Sequence, residues 1–121
     1  MTKPPAERFS GPVGVWTFAF DRMPAPNVRA AAQAIERLGY SSIWVGEAAG
    51  RGAFTQGALL LDATETLVVA TGIARIGERS ARATAAAQRG LAEAHPGRFL
   101  LGLGGSNQLG AGVDPLAAMS G

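Results

Sequence analysis

The sequence predicts an α/β fold built on a parallel sheet, and three observations carry the prediction. Four short apolar runs, 13–18, 42–46, 67–73 and 99–104, are rich in β-branched or aromatic residues and end near glycine or a polar side chain. None alternates strictly between apolar and polar, which is how strands covered on both faces read. Helical patterns fill the spaces between them. The order is therefore βαβαβαβ, and such alternation gives right-handed crossovers between parallel strands.

The first run, 13–18, contains Val13, Val15, Trp16 and Phe18. The helix after it is expected to start at Asn27 as N-cap, behind Pro26. Its apolar positions Val28, Ala31, Ala32, Ile35 and Leu38 recur at helical spacing, and Gly39 stops it. The second run, 42–46, leads to a helix expected over about residues 55–65, with Ala58, Leu59, Asp62 and Ala63 helically spaced. The third run, 67–73, leads to a helix with Ser80 as N-cap that runs through Ala83, Ala87, Leu91 and Ala94. His95-Pro96-Gly97 ends it, because proline cannot continue a helix. The fourth run, 99–104, opens into a glycine-rich loop.

A length of 121 residues admits one domain of ordinary size. With 47% hydrophobic and 17% charged residues the chain has a globular composition, far from that of a disordered one. It has no cysteine, which excludes a disulfide framework, a thiolate zinc site and a cysteine nucleophile. The net charge is only +2, and the arginines are scattered along the chain, so no clustered basic stripe for nucleic acid is present. Residues 1–10 are polar, contain Pro4 and Pro5 and read as a flexible N-terminus; residues 11–121 form the domain. That N-terminus has no signal-peptide core, and no apolar stretch reaches the ~20 residues a membrane span needs. The expected location is the cytoplasm.

Two α/β architectures compete: an open doubly wound sheet, and a (β/α)8 barrel of about 250 residues, of which this chain would hold the first four β/α units. In both, ligands sit at the C-terminal ends of the strands. The first strand is not followed by the GxGxxG turn of a dinucleotide site; its junction reads Phe20-Asp21-Arg22-Met23-Pro24. The sole lysine is Lys3, so a Walker motif is absent too.

The loops then match a known pattern. Leu38-Gly39-Tyr40-Ser41-Ser42-Ile43-Trp44-Val45-Gly46-Glu47 resembles the second strand of the luciferase-like flavin and deazaflavin oxidoreductases. Leu67-Val68-Val69-Ala70-Thr71-Gly72-Ile73-Ala74 resembles their third strand, and His95-Pro96-Gly97-Arg98-Phe99-Leu100-Leu101-Gly102-Leu103-Gly104 their fourth. The similarity runs from about residue 11 to 119, and its nearest branch is the coenzyme F420-dependent oxidoreductases of actinobacteria. It implies the barrel rather than the open sheet. It implies coenzyme F420, alternatively FMN, at the strand ends. It implies hydride transfer between that ring and a small organic substrate, with monooxygenase chemistry in some members.

The resemblance also proposes a site. The ring would rest on a bulge with a non-prolyl cis peptide, matched here to Gly72-Ile73, and Gly104, Gly105 and Ser106 would contact it. Glu47 would be the catalytic carboxylate, base or cofactor contact; it could equally be a structural carboxylate for a loop or for Arg51. Ala48 stands where relatives carry a histidine, which removes the family's general base. His95 lies at the opposite end, as a helix cap. Arg51, Arg79 and Asn107 are candidates for an anionic substrate or the acidic tail of F420, with ordinary ion pairs as the alternative. Trp16, Phe18 and Trp44 read as barrel packing, with ring stacking as the alternative. No metal ligand set is expected. Since relatives continue through strands five to eight, the resemblance implies closure by self-association or a complementing chain. The alternative function is a catalytically inactive half-barrel that acts only in such an assembly.

Overall fold

The structure, a computed structural model, describes residues 13–48 and 50–105. Strand β1 (Gly14–Thr17) is followed by a 3-10 turn (Ala19–Arg22) and helix α1 (Ala25–Arg37). Strand β2 (Ser42–Val45), helix α2 (Ala53–Ala63) and strand β3 (Val68–Thr71) come next. The two-residue strand β4 (Ala74–Arg75), helix α3 (Ala81–Ala94), strand β5 (Phe99–Leu100) and strand β6 (Leu103–Gly104) complete the order.

The main sheet runs β1-β2-β3-β5 and every pair in it is parallel. Val15, Ile43, Val69 and Phe99 stand in register across it. Side chains alternate across a strand, so this row and the row of Trp16, Trp44, Ala70 and Leu100 beside it point to opposite faces. Ile43, Val45, Val69 and Phe99 belong to one buried cluster with Val28 and Ala32 of α1 and Leu60 and Leu61 of α2. The helices therefore cover one face, and the other carries the two tryptophans. A parallel sheet with helices on one face is the arrangement of a partial barrel.

Local chemistry accounts for the boundaries. Helix α1 starts two residues before Asn27, because the Pro24-Ala25-Pro26 stretch presets helical φ and proline is tolerated in the first turn. Asn27 instead donates its N–H to the Pro24 carbonyl at 2.9 Å. The helix ends as expected: Gly39 has φ of +93°, and the Gly39 and Tyr40 N–H groups reach back to Glu36 and Ile35 carbonyls, a Schellman arrangement. Helix α2 begins at Ala53, ahead of the expected start, with no side-chain cap of its own. Ser80 caps α3, its Oγ accepting from the Ala83 N–H at 3.0 Å. The fourth apolar run divides into β5 and β6. Between them Thr71 donates to the Gly102 carbonyl and accepts from the Gly102 N–H, both at 2.8 Å. Strand β6 then pairs with β4 as a second, two-stranded parallel sheet.

The end of the sheet where β3 begins is fastened by two charged groups. Glu36 accepts from the N–H groups of Glu65, Thr66 and Leu67. Arg98 donates to the carbonyls of Leu67 and Leu61. His95 closes α3 at this same end, away from the C-terminal ends of the strands. Burial, and then the positive charge of Arg98, hold its imidazole below the ordinary histidine range.

Among the described residues no helix is long and apolar enough to cross a membrane. Helix α3 has no buried residue, and Gly90 within it has open space where a Cβ would stand. Gly90→Ala is expected to stabilise the fold by about 0.5–1 kcal/mol through helix propensity alone. Urea denaturation checks it; an unchanged or lowered midpoint would contradict the exposure of that helix face.

Candidate functional site

Beyond Thr71 the third strand does not stop but bends. The peptide bond between Gly72 and Ile73 is cis, at the position the resemblance marks, and the backbone around it is held from several sides. The Gly72 N–H donates to the Val45 carbonyl at 2.8 Å, and the Glu47 N–H to the Ile73 carbonyl at 3.1 Å. The Ala74 N–H donates to the Gly102 carbonyl at 2.8 Å. The indole Nε1 of Trp16 donates to the Gly72 carbonyl at 3.0 Å. A Cβ on Gly72 would lie 3.1 Å from the Trp44 ring, so glycine lets the two indoles close on the backbone. Trp16 remains 57% exposed and Phe18 47% exposed, with Ile73 at the edge of the same patch. The Trp16 and Phe18 rings meet edge to face with centroids 4.9 Å apart, a preferred aromatic geometry.

Glu47 stands beside this bulge, one residue past Gly46 at the end of β2. Its side chain is 4% exposed. Oε1 accepts from the Arg75 N–H at 2.7 Å and from Nη1 of Arg79 at 3.2 Å. Oε2 accepts from the Ala53 N–H at 2.8 Å and from Nη2 of Arg79. One carboxylate thus joins the loop after β2, the first turn of α2, strand β4 and the entry to α3. Burial pushes its pKa up, but the Arg79 guanidinium and the two backbone N–H donors outweigh burial and leave it below the usual carboxylate value. At neutral pH Glu47 is an ionised, fully solicited acceptor.

The other expected residues are placed as follows. Arg79 pairs with Glu47, not with solvent, and its guanidinium lies 5.1 Å from the centroid of Phe54. Arg51 does not meet Glu47, the alternative that sequence left open. Its guanidinium donates to the Phe20 and Met23 carbonyls at 3.0 and 2.7 Å and to Oε1 of Gln56 at 2.7 Å. Asp21 accepts from the Gly50 and Arg51 N–H groups at 2.8 Å each, so the loops after β1 and β2 are stapled in both directions. The space a Cβ would take at Gly104 is filled by the Ile73 side chain; that glycine makes room for Ile73. Gly105 is exposed beyond β6, and Ser106 and Asn107 lie outside the described residues. Among the described residues no group of three metal-ligating side chains gathers. Trp16, read from sequence as barrel packing or a stacking residue, contributes to the site region, as do Thr71 and Asp21, which the sequence does not single out. Their partners stand 31 to 56 residues away for Trp16 and Thr71.

A parallel sheet with helices on one face is the arrangement of a partial (β/α)8 barrel. The chain belongs to the luciferase-like monooxygenase family, whose model matches residues 7–112. Two solved structures share its fold. One is apo-MsnO8, with a TM-score of 0.67 and 22% identity over 88% of this chain and 36% of that one. The other is the oxygenating constituent of 3,6-diketocamphane monooxygenase from Pseudomonas putida, a type II Baeyer–Villiger monooxygenase in complex with FMN. It has a TM-score of 0.71 and 14% identity over 88% of this chain and 35% of that one. The chain spans about a third of the length of these structures. Among curated proteins none matches it.

Proposed function

We propose that this chain supplies the ring-bearing part of a cytoplasmic luciferase-like oxidoreductase. In this reading Gly72 and Ile73 would hold a tricyclic ring, of coenzyme F420 or of FMN, for reaction with a small organic substrate. The observation that carries the proposal is the bulge itself. It sits at the C-terminal ends of the strands, where barrel enzymes place their chemistry, next to an open apolar patch of Trp16, Phe18 and Ile73. A flat hydrophobic ring fits such a face, because apolar and aromatic walls with a few fixed polar groups are what ligand sites provide. When bound, the ring supplies hydride, or in monooxygenases the electrons that activate dioxygen.

Within this reading Glu47 is a positioning residue. A carboxylate that already accepts four hydrogen bonds and sits below its usual pKa is a poor proton acceptor. It keeps the backbone of β4 and the first turn of α2 where the ring edge needs them. Arg79 holds Glu47, and Arg51 shapes the loop after β2. Gly104 gives Ile73 room to stand against the ring, and Gly105 is a further proposed contact.

Among the described residues the outer edges of β1 and β5 are unpaired, which, together with the unburied face of α3, favours completion of the barrel by further β/α units, from a longer polypeptide or a complementing chain. A groove of about 450 Å³ between Ile76, Thr84, Gln88 and Leu101 is one seat for them.

The test is a titration of the purified protein into FMN and, separately, F420, following cofactor fluorescence. Saturable quenching of one of them is expected, and the tighter ligand identifies the cofactor. If neither responds, the oxidoreductase reading fails for this chain and the inactive-scaffold alternative stands.

A further inference from the structure

The tryptophan on β1 is not a core residue. Its ring is 57% exposed, yet its one polar atom is committed, at 3.0 Å, to the carbonyl of Gly72. An exposed indole has water available as an acceptor. Holding it against one backbone carbonyl restricts two side-chain torsions, and the arrangement is supported on both sides. Phe18 packs edge-on against the ring, at 4.9 Å and an interplanar angle of 83°. Gly72 lacks the Cβ that would crowd Trp44 and Trp16. Two other polar groups of the bulge are bound to β2 and the loop that follows it: the Gly72 N–H to the Val45 carbonyl, and the Ile73 carbonyl to the Glu47 N–H. The Gly72 carbonyl is tied instead to β1, by a side chain.

We propose that Trp16 is a positioning residue for the ring-bearing face: its indole N–H fixes the Gly72 carbonyl and so the orientation of the Gly72–Ile73 peptide, while its open face forms a side wall for the tricyclic ring. This rests on the function proposed above and adds a residue to it. Two consequences follow from the two parts of the side chain. The N–H sets the geometry that the ring meets. The exposed indole, an electron-rich aromatic beside a flavin, quenches its fluorescence.

Trp16→Phe keeps an aromatic ring but removes both the N–H donor and the electron-rich indole. In the ligand-free protein the substitution is expected to move the backbone amide resonances of Gly72 and Ile73, while those near His95 stay in place. With FMN, or F420 if that is the ligand, the dissociation constant is expected to rise about three- to tenfold, as loss of one neutral hydrogen bond allows. The bound cofactor's fluorescence lifetime is expected to lengthen, a change that a merely structural role would not produce. Trp16→Leu, which removes both ring and donor, should lengthen the lifetime further. Unmoved Gly72 and Ile73 resonances overturn the inference whether or not a cofactor binds. Unchanged affinity and lifetime in a wild-type protein that does bind overturn it as well. A wild-type protein that binds neither cofactor overturns the functional reading and the side-wall half of the inference, and leaves the resonances to decide the other half.

Discussion

Replacing Glu47 with glutamine is expected to lower the stability of the fold by about 3–5 kcal/mol, the usual cost of removing one partner from a buried ion pair. The substitution keeps the shape and removes the charge. One side-chain oxygen becomes an NH2 group facing backbone N–H donors, so at least one of the Ala53 and Arg75 amides loses its acceptor. Arg79 loses its counter-charge, and the Phe54 ring remains beside its guanidinium. Urea denaturation with the midpoint and slope both recorded measures the loss.

The pH dependence isolates the same carboxylate. Its folded pKa lies below the ordinary value of 4.5, so folding favours the ionised form. That contribution is present in full above about pH 4.5 and is lost as pH falls through the lower folded value. Glu36 is shifted in the same direction and is common to both proteins, so the difference between wild type and Glu47→Gln reports Glu47 alone. The difference should be constant between pH 6 and 8 and shrink in acid. A difference that persists undiminished at pH 3 would show that the charge was not what mattered.

Gly102→Ala is expected to cost about 1–3 kcal/mol, as overpacking at a rigid site does. The added Cβ would fall inside van der Waals contact with the Thr71 carbonyl oxygen, a backbone atom of a buried strand that cannot swing aside. Relief requires parting β3 from the chain between β5 and β6, at the expense of the reciprocal Thr71–Gly102 hydrogen bonds. Thermal or urea unfolding reads the effect against Gly90→Ala. Equal behaviour of the two variants would contradict the close approach at Gly102.

These residues also mark how much of the molecule is legible in its sequence. The parallel sheet is legible because a strand covered on both sides needs a continuous apolar run, as 67–73 provides, and because Ser80 and Gly39 act locally as cap and stop. Asn27 misleads, since capping propensity is overridden two residues earlier by the prolines that preset the helix. The break between β5 and β6 is not legible, for it depends on Thr71, 31 residues away. Glu47 is legible as a carboxylate at a strand end, but its work is not. The donors that occupy it come from residues 6, 28 and 32 positions further on, and only the folded chain brings them together. Gly72-Ile73 is marked through resemblance alone; nothing in its composition distinguishes it from an ordinary glycine turn.

The proposed seat of the tricyclic redox ring is the Gly72–Ile73 face at the C-terminal ends of the strands. The most direct test is a titration of FMN, and of F420, into 15N-labelled protein with assigned backbone and indole resonances. Saturable shifts are expected at Gly72, Ile73, Glu47 and the Trp16 indole, with Leu67, His95 and Arg98 at the opposite end unmoved. Shifts centred on that opposite end, or none with either cofactor, would contradict it.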